Sequence, residues 1–237
     1  MKEPLPPTCA ICAVQACDAE PARLQPPRFC PMVTDGELLA KVEQAYLTQD
    51  ELRQLAVHSA RTEASGYMRR TRIEDIMDFA RRIGAQTLGI AHCIGFMQEA
   101  KLAMGIFEAN GFRVHTVCCK VGSIAKETLG LKDHEKVEPG SYEPVCNPVG
   151  QAALLARAGT QLNVVLGLCV GHDSLFFMHS QAPTTVLVVK DRVLGHNPVA
   201  ALYLSNSYYR RLTTGEGADD YLRRRIARSQ PAPDCDG

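Results

Sequence analysis

The sequence predicts an α/β protein: a three-layer sandwich with a mostly parallel sheet, a helical N-terminal part and a cysteine-rich N-terminal loop. From residue 85 onward, short apolar runs alternate with amphipathic segments. This order is typical of a parallel sheet that is covered by helices on both faces. Residues 1–33 differ, because seven prolines and four cysteines fall there and no apolar period persists.

We expect three segments: a cysteine-rich metal-binding loop over 1–33, an α/β domain over 34–212 and a C-terminal tail over 213–237. Within the domain, 34–84 is predicted to be helical and 85–212 to hold strand–helix units. In the helical part a threonine precedes a glutamate by three residues at three places, the spacing of a capping box that starts a helix. The pairs are Thr34 and Glu37, Thr48 and Glu51, and Thr71 and Glu74.

The strand–helix part contains four apolar runs of strand length, at 87–91, 113–118, 162–168 and 184–189. Between and after them lie candidate helices at 96–110, 148–158, 173–180 and 198–205. Asn110-Gly111 and Ala158-Gly159 indicate helix ends before the next strand. Each unit therefore presents a strand, a short turn and a helix.

Composition excludes several classes of partner. Basic and acidic residues number 26 each in a chain of 237 residues, so no net charge attracts nucleic acid or an anionic membrane. No apolar run approaches the ~18 residues that a membrane span needs. The first residues lack an apolar export signal, and we expect a soluble, cytoplasmic protein. A small molecule or a redox protein remains as the expected partner.

Four cysteines form the strongest single motif, Cys9-x2-Cys12-x4-Cys17-x12-Cys30. Two thiolates separated by two residues can bind one metal ion, and four complete a tetrahedral zinc site or hold an iron–sulfur cluster. The alternative is a set of surface thiols or a disulfide pair. The spacing favours metal ligation, with zinc or an iron–sulfur cluster as the cofactor.

Further cysteines fall where a predicted strand ends or a predicted helix begins. In a parallel sheet these places share the carboxyl edge, where such folds bind ligands. A second site, for metal or for thiol chemistry, is therefore predicted from Cys93, Cys119, Cys146 and Cys169. The alternative is that these cysteines only pack in the core. Cys118 and Cys119 are neighbours on a strand, so only one of them can face the site.

Charged neighbours extend the second site. Cys169 is the candidate catalytic thiolate, with His172 as its base, Asp173 beside it and Lys120 able to lower the pKa of a nearby thiol. The default role of Asp173 is to cap a helix. Lys190-Asp191-Arg192 reads as a solvated turn.

A short internal echo adds His196 to the candidate metal ligands. Cys146-Asn147-Pro148-Val149 matches His196-Asn197-Pro198-Val199, and each tetrad precedes a predicted helix. His196 thus takes the place of Cys146, and histidine commonly replaces cysteine in a metal shell. A duplicated strand–helix unit explains the match, but chance similarity over four residues is common.

Together these motifs resemble an uncharacterised family of bacterial and archaeal proteins, usually labelled metal-binding proteins and defined by domain of unknown function 1847. The matching segments are the N-terminal cysteines with Cys30-Pro31-Met32, Cys118-Cys119-Lys120-Val121-Gly122, Cys146-Asn147-Pro148, and 167–175 around Cys169. The resemblance runs from Cys9 to about Tyr203. It implies metal binding and no established reaction.

Two functions from different classes fit these observations. The first is a metal-binding protein with a four-cysteine N-terminal site and a second thiol-rich site, which carries out thiol or redox chemistry on a small molecule. The second is a non-catalytic metal- or redox-sensing module with a structural zinc loop. Metal stoichiometry separates them.

Overall fold

A computed structural model describes residues 6–214 and 217 and divides the chain into two units between Ile83 and Gly84. In the first unit, short 3-10 turns at Cys9–Ile11 and Ala16–Asp18 precede four helices. These are α1 (Pro31–Thr34), α2 (Gly36–Thr48), α3 (Asp50–Gly66) and α4 (Arg72–Arg82). Helices cover most of 31–82, with breaks at Asp35, Gln49 and 67–71.

Only one of the three predicted capping boxes forms. Thr71 and Glu74 cap α4, and the Thr71 N–H donates to the Glu74 carboxylate at 2.7 Å. The other two predictions are wrong, because Thr34 belongs to α1 and Thr48 is the last residue of α2. The Thr48 hydroxyl donates instead to the carbonyl of Gln44, one turn earlier, at 2.7 Å.

The second unit contains a four-stranded sheet in the order β2-β1-β3-β4, with every pair parallel. Its strands are β1 (Thr87–His92), β2 (Arg113–Cys118), β3 (Leu162–Leu166) and β4 (Thr184–Val188). The central strands β1 and β3 are buried along their whole length, whereas β2 is a partly exposed edge. β3 ends two residues before the predicted limit, because Gly167 turns the chain with a φ of +66°.

Helices cover both faces of this sheet, which confirms the predicted α/β class. They are α5 (Met97–Ala109), α6 (Pro148–Arg157) and α7 (His172–His179), followed by α8 (Val199–Tyr203) and α9 (Arg211–Thr214). α5 connects β1 to β2, whereas α6 and α7 precede β3 and β4 and pack against each other. Because parallel crossovers are right-handed, the reversal of direction after β2 places α5 on one face and α6 with α7 on the other.

The core lies between these layers and includes Leu88, Ile90, Phe107, Leu155 and Phe176, all fully buried. The strand order reverses between β1 and β3, and the carboxyl ends of these two strands flank the crevice where such folds bind ligands. Among the described residues, none of the helices combines the length and apolar character of a membrane span. Cys235 and most of the predicted tail lie outside the described residues.

Candidate functional site

The predicted second site lies at the carboxyl edge of the sheet, within the second unit. Cys93 directly follows β1, Cys119 directly follows β2, and Cys169 follows β3 after a short turn. Cys146 stands two residues before α6, whose N-cap Asn147 accepts the Gly150 N–H at 2.8 Å. These four cysteines therefore come from four separate segments of the chain.

Cys119 is the central thiol, and its exposed fraction is only 1%. Its N–H donates to the carbonyl of His92 at 2.8 Å, and its carbonyl accepts the Asn147 N–H at 2.7 Å. Its sulfur accepts the Ile94 N–H at 3.3 Å. Residues next to Cys93 and the residue after Cys146 are thus both hydrogen bonded to Cys119.

The thiols of Cys93, Cys119 and Cys146 form a hydrogen-bonded row with Cys119 in the middle. The hydrogen bond from Cys119, helped by Lys190 and opposed by burial, lowers the pKa of Cys93 to about 4. The hydrogen bond from Cys119 also lowers the pKa of Cys146 to about 6, against burial and with help from the charge of His172. Because Cys119 donates to two thiolates, its own pKa is raised. At neutral pH the row is thiolate, thiol, thiolate.

Lys190 and Arg192 are two cations of the site that the sequence did not predict. Lys190-Asp191-Arg192 was expected to be a solvated turn, but both cations contact cysteine sulfurs. The Lys190 ammonium lies 2.5 Å from the sulfur of Cys93 and 5.2 Å from the ring centre of Phe96. The Arg192 guanidinium donates to the sulfur of Cys169 at 3.3 Å, and this bond raises the pKa of Arg192. One signal could have found them: both residues follow β4, whose carboxyl end lies at the same edge.

Cys169 is half-buried and lies three residues before α7, and its carbonyl accepts the N–H groups of His172 at 3.0 Å and Asp173 at 3.1 Å. The Asp173 carboxylate accepts the Ser174 N–H at 2.8 Å. The expected capping role is wrong, because Asp173 lies inside α7 and the N-cap is Gly171, with no side-chain cap hydrogen bond. Nδ1 of His172 is buried and has no hydrogen-bond partner within residues 6–214. The charge of His172 acts on Cys146, whereas Cys169 is bonded to Arg192.

Two further predicted site residues, Lys120 and His196, have the following partners. The Lys120 ammonium donates to the carbonyl of Pro144 at 2.5 Å, and its charge helps to lower the pKa of Cys146 after the larger effect of the Cys119 hydrogen bond. His196 accepts the Asp191 N–H at 3.1 Å and packs its ring on Phe96, with 4.5 Å between ring centres. Its role as a metal ligand stays a prediction.

A long connection brings Cys146 back to Cys119. Between them, 120–145 folds into a closed loop that is bridged at Ala125 and Pro144. The N–H of Val145 donates to the Ile124 carbonyl at 2.8 Å, and the Lys126 ammonium lies 2.5 Å from the Glu143 carboxylate. The two ends of this loop are thus held side by side.

Gln151 supports the site and was not predicted. It is fully buried on α6, and its Nε2 donates to the carbonyls of His92 at 3.1 Å and Val117 at 2.6 Å. These carbonyls end the two strands that carry Cys93 and Cys119. The available signal was a lone polar residue on the buried face of a helix, which usually has hydrogen-bond partners.

The N-terminal cysteines belong to the first unit. Cys9 and Cys17 are exposed, and Cys12 and Cys30 are half-buried. The Cys12 sulfur accepts the Gln15 N–H at 3.4 Å. Across the described part of the chain, no three or more His, Cys, Asp or Glu side chains are already grouped as a metal site. Both predicted metal sites therefore stay predictions.

Comparisons with known proteins place the chain in a family. The family model described as protein of unknown function (DUF1847) matches residues 30–187. An uncharacterized protein of Methanocaldococcus jannaschii is 42% identical over 180 residues, which cover 76% of this chain and 90% of the relative.

A crystal structure of Dph2 from Pyrococcus horikoshii with a 4Fe-4S cluster is similar at 19% identity and a TM-score of 0.33. This chain spans 33% of the length of that structure, with 60% of its own length covered. A likeness of this size carries no weight for function. The family match and the relative agree, and the chain belongs to the family of proteins of unknown function DUF1847.

Proposed function

We propose that this chain is a metal-binding protein that holds a thiophilic metal, as a zinc ion or an iron–sulfur cluster, on its sheet-edge thiolates Cys93, Cys119 and Cys146. The observation that carries the proposal is the hydrogen-bonded row, in which the pKa values of Cys93 and Cys146 lie at about 4 and about 6. Metals bind thiolates rather than thiols. Two of the three ligands are therefore already in their binding form at neutral pH.

The donor set fits this class of metal. Soft thiolates select zinc and iron–sulfur clusters over hard cations such as magnesium. Three thiolates carry more negative charge than one divalent ion neutralises, and Lys190 lies against Cys93 to offset it. Both outer thiols hydrogen bond to Cys119, so the three sulfurs are close enough to be tested as ligands of one ion. Bound metal would supply Lewis-acid or electron-transfer chemistry.

Cys169 is proposed as a fourth thiol, either a further ligand or the group that reacts with a small molecule. It is half-buried and its partner Arg192 is exposed, so both are accessible from solvent. A guanidinium has five donor N–H groups, and most of those on Arg192 remain available to an anionic ligand. His172, the first residue of α7, and His196, which follows β4, are the two histidines to test as additional ligands.

The N-terminal cysteines are proposed as a separate four-thiolate site. Their spacing supports it, and so does the Gln15 N–H that points at the Cys12 sulfur, since N–H donors stabilise metal-bound thiolates. Both sites need reduced thiols, and a cytoplasmic location is part of the proposal for that reason.

Elemental analysis of protein purified without oxygen tests the proposal. We expect zinc or iron in stoichiometric amount, with a brown colour if the metal is an iron–sulfur cluster. Cys119→Ser should lose the sheet-edge metal, while Cys118→Ser should keep it, because Cys118 is the half-buried neighbour outside the thiol row. Cys9→Ser with Cys12→Ser should remove only the N-terminal metal. Metal loss that is equal in the Cys118 and Cys119 variants would contradict the sheet-edge site.

A further inference from the structure

We propose that Cys119 and Cys146 are a redox-active pair, which changes reversibly between two thiols and one disulfide by exchange with a low-molecular-weight disulfide. This activity goes beyond metal binding. It belongs to the metal-free chain and involves two of the sulfurs at the sheet edge.

The backbone holds the two cysteines side by side. The Cys119 carbonyl accepts the N–H of Asn147, the residue after Cys146, at 2.7 Å. The Asn147 side chain donates to the carbonyl of Val121, two residues after Cys119, at 3.1 Å. The direct backbone hydrogen bond between the two segments brings the two cysteines next to each other, as a disulfide requires. Both cysteines are free thiols, and their sulfurs hydrogen bond to each other.

Burial assigns different roles to the two sulfurs. Cys146 is half-buried, whereas Cys119 is only 1% exposed, so Cys146 is the more open of the two to an external disulfide. Cys146 is therefore the attacking sulfur and Cys119 the resolving one. Cys93 stays outside the pair because it is 4% exposed and its sulfur is held by Lys190.

The exchange proceeds in two balanced steps. First, the Cys146 sulfur, whose proton has passed to solvent, attacks one sulfur of the external disulfide, forming a mixed disulfide and expelling the first thiolate, which takes up that proton. Second, the Cys119 sulfur attacks the Cys146 sulfur, and the second thiolate leaves with the proton from Cys119. Two protein thiols lose two electrons and two protons, and the external disulfide leaves as two thiols. Excess thiol reverses both steps.

The closed loop over 120–145 makes the disulfide attainable with little movement of the main chain. The bridge of Ala125 with Pro144 and the ion pair of Lys126 with Glu143 already bring both ends together. We therefore expect rotations of the two side chains to join the sulfurs. Cys118, one residue away, points to the other side of β2 and has no such partner sulfur among the described residues.

The test uses the full chain, reduced and freed of metal with a chelator, and then exposed to increasing ratios of oxidised to reduced glutathione. Free thiols are alkylated, and tryptic peptides are mapped by mass spectrometry. Trypsin cleaves after Arg113 and Lys120, so Cys118 and Cys119 share one peptide, and Cys146 lies in another over 137–157. We expect these two peptides to become linked under oxidising ratios and to separate again under reducing ones.

Two variants show which cysteine of the shared peptide forms the disulfide with Cys146. Cys118→Ser should retain it, whereas Cys119→Ser should lose it completely and accumulate the glutathione adduct at Cys146. A link that survives in Cys119→Ser and disappears in Cys118→Ser would overturn the proposal. So would a link from the Cys119 peptide to the Cys93 peptide (83–101), or a permanent glutathione adduct at Cys146 in the unchanged chain. The last two readouts need no variant to fold. All of them are independent of whether the chain binds metal.

Discussion

The ammonium of Lys190 lies 2.5 Å from the sulfur of Cys93, although 97 residues separate the two along the chain. Lys190 follows β4 and Cys93 follows β1, with β3 between these strands. The contact therefore spans the crevice where the strand order reverses. The hydrogen bond from Cys119 and the positive charge of Lys190 both stabilise the thiolate form of Cys93.

Removing the ammonium should make Cys93 a weaker acid. In Lys190→Met the aliphatic stem is kept and the positive charge is lost, so the pKa of Cys93 should rise from about 4 toward its ordinary value. The pH dependence of alkylation of the peptide over 83–101, which contains no other cysteine, measures this change. Lys101→Met on α5, where the lysine is exposed, is the matched control and should leave the curve in place; in this variant Cys93 is followed in the longer peptide over 83–113, again without another cysteine. An unchanged curve in Lys190→Met would show that the contact does not exist in solution.

The lowered pKa of Cys93 also predicts how stability depends on pH. Between the folded value of about 4 and an ordinary thiol value of about 8.5, the unfolded chain binds one more proton than the folded chain at this site. This contribution is fully present above the unfolded value and is lost as pH falls toward the folded value. The free energy of unfolding should therefore rise between pH 6 and pH 8.

Urea unfolding of the reduced, metal-free chain at both pH values measures this slope. Cys93→Ser should reduce it, and Cys118→Ser should preserve it. Cys119 contributes nothing over this range, because its raised pKa keeps it protonated in both states. A slope that is the same in Cys93→Ser and in the unchanged chain would argue against a folded-state thiolate.

Gln151 should be essential for the stability of the second unit. Gln151→Leu keeps most of the side-chain volume and leaves the carbonyls of His92 and Val117 without their side-chain donor. We expect a loss of about 1–2 kcal/mol in the free energy of unfolding, since two hydrogen bonds are lost while the His92 carbonyl keeps the Cys119 N–H as its partner. Gln98→Leu on the exposed side of α5 should change it by less than about 0.5 kcal/mol. Equal stability of the two variants would remove Gln151 from the support of the site.

Two glycines allow backbone strain to be separated from a steric clash. Gly167 and Gly171 both have positive φ angles, +66° and +85°, so an alanine is strained at either position. A Cβ at Gly167 would lie 2.3 Å from the Phe96 ring, whereas one at Gly171 would meet nothing within 4 Å. Gly167→Ala should therefore destabilise the fold by about 1–3 kcal/mol more than Gly171→Ala in urea unfolding. The opposite order would contradict the packing of Phe96 under this turn.

Local patterns in the sequence were sufficient for the fold. The apolar run at 113–118 became β2 with the predicted limits, and the position of Cys93 and Cys119 directly after strands followed from the same pattern. Capping failed at Thr34 and Thr48 because the spacing of a capping box does not reveal that a preceding helix already includes the threonine.

The partners of the thiols could not be predicted in the same way. His172 is close to Cys169 in sequence and was assigned to it, but its charge acts on Cys146, which reaches the site from the other side of a long loop. Arg192 takes the place beside Cys169 because β4 ends at the same edge. Such pairs depend on strand order, and sequence spacing carries no information about strand order.

The closed loop over 120–145 has a consequence for how the chain tolerates change in length. Its bridge at Ala125 and Pro144 isolates the tip, where Leu129, Val137 and Tyr142 are exposed, from the two cysteines at its base. Residues added at Gly130 or Gly140, both of which already turn the chain with positive φ, would extend outward without moving either sulfur. The tip is accordingly a place to attach a fluorescent reporter that senses the state of the thiols from outside the site.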